Sequence, residues 1–195
     1  MTETDVGDRR APPSSRRALI GAGLIGAIAA IAGRDGIASA QPGPADDERE
    51  LLVFAMHLEL TARDLYDAAA GAGHATDLAG AMREQHEAYA QRLAAITGTS
   101  ARGRLGDVYE QLEAAFTSSA DDAIAAAYDL ESIAVATHTE LVGLVDSRDT
   151  AALLASILVV EARHCAVFAD AGGRGDDLDA LLDNDADPLL PEDLT

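Results

Sequence analysis

The chain has 195 residues, and its 14 basic side chains, all arginine, face 34 acidic ones, for a formal net charge of −20. That excess repels nucleic acid and anionic membranes and makes cations the natural small partners. Apolar residues make up 48% of the chain, enough for a packed helical domain, and the single cysteine, Cys165, excludes an intrachain disulfide and every multi-cysteine zinc or iron–sulfur site.

Residues 1–40 read as an address. Ser15-Arg16-Arg17 precedes an apolar, Gly/Ala-rich run from Ala18 to Gly33, and Ala38-Ser39-Ala40 is a small-x-small cleavage site. The arginine pair resembles a twin-arginine export signal. The apolar run is shorter than the roughly 20 residues that span a bilayer. Cleavage before Gln41 is therefore expected. It would leave a protein that does not span the membrane and is periplasmic, cell-envelope or extracellular. The sequence leaves retention of the segment as an anchor open.

The first long helix is expected over Asp46–Ala70. Asp46, Asp47 and Glu48 sit at its N-terminus, where the helix dipole favours acids, and Gly71 and Gly73 end it. Glu59 falls in its apolar stripe. The second helix is expected over Asp77–Thr97 and stops at Gly98. Its stripe is Leu78, Met82, His86, Tyr89, Leu93 and Ile96, with His86 in the middle. Residues 98–119 are long enough to cross from one end of a bundle to the other, with a short helix over Asp107–Phe116.

The third long helix starts at Ser119-Ala120-Asp121-Asp122, close to a capping box. Ile124, Tyr128, Glu131, Val135, His138, Val142 and Val145 follow at alternating spacings of four and three, an unbroken seam. A tight turn at 146–148 makes the fourth helix its antiparallel neighbour. In that helix Leu154, Ile157, Glu161, His164 and Phe168 share one stripe. Residues 174–195 form an acidic tail whose Leu178, Leu181, Leu182, Leu189 and Leu190 are expected to pack on the bundle.

Each long helix thus places a carboxylate or an imidazole in an apolar stripe, where unpaired charge is costly. Glu161-x-x-His164 puts both side chains on one helix face, within reach of a shared metal ion. Glu59, His86, Glu131, Glu161 and His164 are the candidate ligands. His138 lies two turns from Glu131, about 10 Å along the axis, too far to share its ion, and is read as structural. His57 and His74 are read as surface groups, and Cys165 as a buried, inert thiol. Tyr66, Tyr89 and Tyr128 are the candidate hydrogen-bond partners for a core glutamate.

With these residues in place, residues 48–171 resemble the ferritin-like family, specifically its exported bacterial members. The resemblance implies an all-α, antiparallel four-helix bundle over residues 41–173, with a long crossover between helices two and three. In that family a Glu on each of two helices and a Glu-x-x-His on each of the other two hold two iron or manganese ions. Arg83 stands where the second helix should carry its Glu. Three carboxylates and an arginine sum to a formal charge near −2, which suits one divalent ion. The expected cofactor is then Fe or Mn, one ion per chain or none, with an oxidase-type or peroxide-consuming site as the candidate activity. Without metal, the three carboxylates are expected to repel one another, and some of them to take up protons. The alternative is a metal-free, degenerate bundle with a structural or stress-related envelope role. A homodimer is compatible with either reading.

Overall fold

The computed structural model describes residues 44–191; the expected export signal lies outside them. Six helices are present among the described residues: α1 (Asp46–Gly71), α2 (Thr76–Thr97), α3 (Gly106–Ser118), α4 (Ala120–Leu144), α5 (Arg148–Ala171) and a short α6 (Leu178–Leu182). The four long helices fall within one or two residues of the bounds expected from their stripes and caps. Ser119 and Ser147 cap α4 and α5, their hydroxyls accepting the backbone N–H of Asp122 and Thr150. Gly98, at φ 67°, ends α2 in the left-handed conformation that glycine adopts without strain. The Glu48 carboxylate accepts the Ser147 N–H at 3.1 Å, tying the start of α1 to the turn before α5.

Side-chain pairings set the helix directions. On α1, Glu59 faces His138 and Tyr66 faces Glu131, so α1 and α4 run antiparallel. On α5, Glu161 meets His138 and His164 meets Glu131, so α4 and α5 are antiparallel too. α1 and α2 form the other antiparallel hairpin. α2 and α4 are therefore parallel, and the chain between them must travel the length of the bundle. α3 makes that crossing against α1 and α4, burying Tyr109 and Phe116. This is the architecture expected from the sequence.

The core is divided. One apolar cluster includes Leu52, Leu58, Leu93, Leu141, Leu154 and Ile157. The other includes Leu65, Tyr66, Met82, Phe116, Leu130 and Phe168. Between them in sequence on every long helix lies a polar layer of Glu59, His86, Glu131, His138, Glu161 and His164, each no more than 1% exposed. Isolated charges would be expensive there, so the layer must satisfy itself or a ligand.

The tail departs from expectation. Leu178 and Leu182 are 66% and 78% exposed, whereas Leu189 packs on the first apolar cluster. Polar contacts along α4 hold this segment. The Tyr128 hydroxyl donates to the Ala180 carbonyl, the Asn184 amide to the Ser132 carbonyl, and the Leu189 N–H to Thr137 Oγ1.

Candidate metal centre

The structure brings all five expected side chains into the polar layer and adds His138. They fall into two groups of potential metal donors. His86, Glu131 and His164 form one; Glu59, His138 and Glu161 form the other, and within each the donor atoms lie within 4.8 Å of one another. As expected, His138 is not grouped with Glu131. It is nonetheless more than packing, because α1 and α5 supply two carboxylates at its own level of the bundle.

In most of these side chains one polar atom is tied down while another is left without a hydrogen bond. His138 Nδ1–H donates to Glu161 Oε2 at 2.8 Å and to the Ala134 carbonyl at 3.0 Å, leaving Nε2 and Glu161 Oε1 unbonded. His86 Nδ1–H donates to Glu59 Oε2 at 2.7 Å, leaving Glu59 Oε1 unbonded. His164 Nε2–H donates to the Gln85 side-chain oxygen at 3.1 Å, leaving Nδ1 unbonded. Glu131 Oε1 accepts from the Tyr66 hydroxyl at 2.5 Å and from His86 Nε2 at 3.1 Å, leaving Oε2 unbonded. His138 Nε2 lies 3.5 Å from Glu59 Oε1, and His164 Nδ1 lies 3.2 Å from Glu131 Oε2, yet neither pair has the alignment of a hydrogen bond.

Five orphaned buried atoms in one layer cost too much to be incidental. A divalent cation fits them. It takes imidazole nitrogen and carboxylate oxygen, while the outer atom of each ligand stays anchored by a hydrogen bond, the usual support of a metal-binding histidine.

Charge in the layer is also organised. Burial alone would depress the His86 pKa, but Glu131 and Glu59 raise it well above the ordinary histidine value. Burial works against His138 too, but Glu161 and then Glu59 lift it to about 9. Burial would raise Glu131, yet His164 and His86 hold it well below the usual carboxylate range. Glu161 is raised, chiefly by burial. The metal-free layer therefore favours the charged forms of His86 and His138, while Glu161 is pushed toward its protonated form by burial and, less, by Glu59 and Glu131. Burial, with Glu131 second, also pushes the Tyr66 hydroxyl well above its ordinary value, so it remains a donor.

Arg83 does not enter the core. Its side chain is 44% exposed, and Nε bonds Asp67 at 3.0 Å on the outside of α1. The inward stripe of α2 runs Ala79, Met82, His86, Ala90, Leu93. It steps back four residues from His86, to Met82, and leaves the residue three back on the flank. Solvation and an exposed partner spare the guanidinium the cost of burial. Cys165 is half-buried beside Ser132, at 3.7 Å, and burial raises its thiol to about 12, in keeping with an inert group. His57 and His74 are half-buried and outside the layer.

Sequence reasoning overlooked Gln85. It adjoins His86 and is 9% exposed, a buried amide on the side of α2 that faces α5. Tyr66 was among the tyrosines named for a core glutamate, and Glu131 is the glutamate it serves. No curated protein and no solved structure matches the chain. A ferritin-like domain model matches residues 47–174, well over half of the chain, and the protein belongs to the ferritin-like family.

Proposed function

We propose that this is an exported ferritin-like protein whose buried Glu/His layer takes up a divalent transition metal, Fe or Mn. Glu59, His86, Glu131, Glu161 and His164 serve as ligands. The observation that carries this reading is the set of five unbonded, buried donor atoms, one each on Glu59, Glu131, His138, Glu161 and His164, in two close groups of which His86 completes one. Bound iron or manganese would supply redox chemistry, and an oxidase-type or peroxide-consuming activity is the candidate reaction. The chain's own part is to hold the ligands in place through Tyr66, Gln85 and the His–Glu bonds, and to exclude water with the two apolar clusters.

The test is elemental analysis of purified protein, followed by chelation and thermal melting with added Mn²⁺ or Fe²⁺. An ion that binds only the folded state at a hundred times its Kd stabilises it by about 2.7 kcal/mol. A metal-free bundle with an envelope role is the second reading. It is favoured by the contacts the layer's carboxylates and imidazoles make with one another, His86 with Glu59 and Glu131, and His138 with Glu161, without an ion. Absence of metal and no melting shift would establish that reading. Export rests on Arg16-Arg17 and Ala38-Ser39-Ala40. The expected exported product starts at Gln41, and changing both arginines to lysine should block its export; a secreted product that keeps residues 1–40 would refute cleavage.

A further inference from the structure

We propose that an apolar cavity at one end of the bundle binds a single molecule of dioxygen and is its way into the polar layer. The cavity, of about 10 Å³, is walled by the rings of Tyr66, Phe116 and Phe168, by Ile124 and by five alanines. That is room for about one water-sized particle.

Small side chains make the space and rigid rings keep it open. Ala79 on α2 and Ala127 on α4 are buried, and their methyl groups leave unfilled what a larger apolar side chain would occupy. Phe116 packs edge-on to Tyr66 at 5.6 Å, and Phe168 lies flat on it at 5.9 Å. The Tyr66 ring is also pinned by its hydroxyl on Glu131.

The chemistry of the lining selects the occupant. Every exposed atom of it is apolar. Water or hydrogen peroxide would give up hydrogen bonds there with no replacement, a costly exchange. Dioxygen has none to give up and is of the right size.

The cavity adjoins the layer. Ala127 precedes Glu131 by one helical turn and Phe168 follows His164 by one turn, about 6 Å along the axis in each case. The inner wall is the pair Tyr66 and Phe168, and Tyr66 stacks on His86 at 5.5 Å. Tyr66 has a polar anchor and the Phe168 ring has none, so Phe168 is the wall that yields to a passing molecule. At the outer end, half-buried Ala75 and Ile124 form the rim. Of the two candidate reactions, this route serves the oxidase type and not peroxide consumption. What dioxygen does in the layer rests on the metal-binding reading; its occupancy of the cavity does not.

The test is proton NMR of the chelator-stripped full chain under pressurised dioxygen, with nitrogen at the same pressure as the reference, because paramagnetic dioxygen speeds the relaxation of protons beside it. The Ala79 and Ala127 methyls should gain severalfold more relaxation than those of Leu154 and Ile157, which are buried in the other apolar cluster. The Tyr66 and His164 ring protons should gain too. Ala127→Val fills the cavity and should abolish the gain at Ala79 and His164. Ala79→Val should do the same at Ala127 and His164 if the first variant fails to fold, and circular dichroism checks both. Hydrogen peroxide in place of dioxygen should leave the alanine methyls unshifted. Equal relaxation in the two apolar clusters, water cross-peaks at the Ala79 and Ala127 methyls, peroxide shifts there, or a gain at His164 that is absent or survives filling would each overturn the proposal. Absence of metal from the purified protein would instead overturn the metal-binding reading and leave the cavity's occupancy standing.

Discussion

The Gln85 side-chain oxygen accepts the His164 Nε2–H at 3.1 Å, across the space between α2 and α5. That bond fixes the ring so that Nδ1 points into the layer, where it has no other hydrogen-bond partner. Gln85→Ala removes the acceptor and frees the ring to turn. Metal affinity should fall about 10- to 100-fold, the usual cost of losing a ligand's supporting hydrogen bond. Gln85→Glu keeps an acceptor and should retain affinity. Calorimetric titration with Zn²⁺ checks both, and an unchanged affinity in the alanine variant would remove Gln85 from the centre.

Tyr66 carries a second such bond. Its hydroxyl donates to Glu131, and its ring stacks on His86 at 5.5 Å and on Phe168 at 5.9 Å. Tyr66→Phe keeps the stacking and deletes only the donor. A hydrogen bond to a charged group contributes about 1.5–3 kcal/mol, and that much stability should be lost from the metal-free protein. Urea unfolding measures it. A loss below about 0.5 kcal/mol would mean that Glu131 is satisfied by the imidazoles alone.

The helix layout was readable because seam spacing, caps and glycine stops agree on every long helix. Glu131 and His138 illustrate both the reach and the limit of that reading. Their shared seam placed both inside, and seven residues correctly separated them along the axis. What a seam does not carry is which neighbours stand at each level of the bundle, so the partnership of His138 with Glu59 and Glu161 emerged only with the packing. Arg83 shows the complementary error. Its spacing before His86 mirrors Glu161 before His164, but a helix may turn its stripe either three or four residues back, and α2 chose Met82. Gln85 escaped notice because a lone amide beside a histidine has no periodic signature.

The metal-free protein should lose stability as pH rises through about 9. His138 titrates near 9 in the folded chain, above the ordinary histidine value, because Glu161 and Glu59 favour its charged form. A raised folded-state pKa gives stability that is complete below the unfolded value near 6.5 and lost as pH climbs through the folded value. The difference amounts to about 3 kcal/mol for this group. His86 shifts in the same direction and adds to the loss. Chemical denaturation of chelated protein between pH 6 and 10 gives the curve. His138→Gln should flatten it, and an equally steep loss in that variant would assign the dependence to other groups.

Arg83→Glu supplies the last discriminating change. Were Arg83 in the core, this substitution would add a fourth carboxylate and raise metal capacity. With the side chain on the flank of α2, the new carboxylate stays in solvent, where it replaces an ion pair with Asp67 by a like-charge contact and takes a favourable charge away from Glu87. Exposed pairs contribute about 0–1 kcal/mol, so stability should fall by no more than that. Metal content per chain should be unchanged, because this side chain is turned to solvent and bonds Asp67 rather than any of the six layer residues. Parallel elemental analysis and melting of the two proteins decide the matter. An additional bound ion in the Arg83→Glu variant would show that α2 can turn this flank inward, and that the arginine restrains the centre after all.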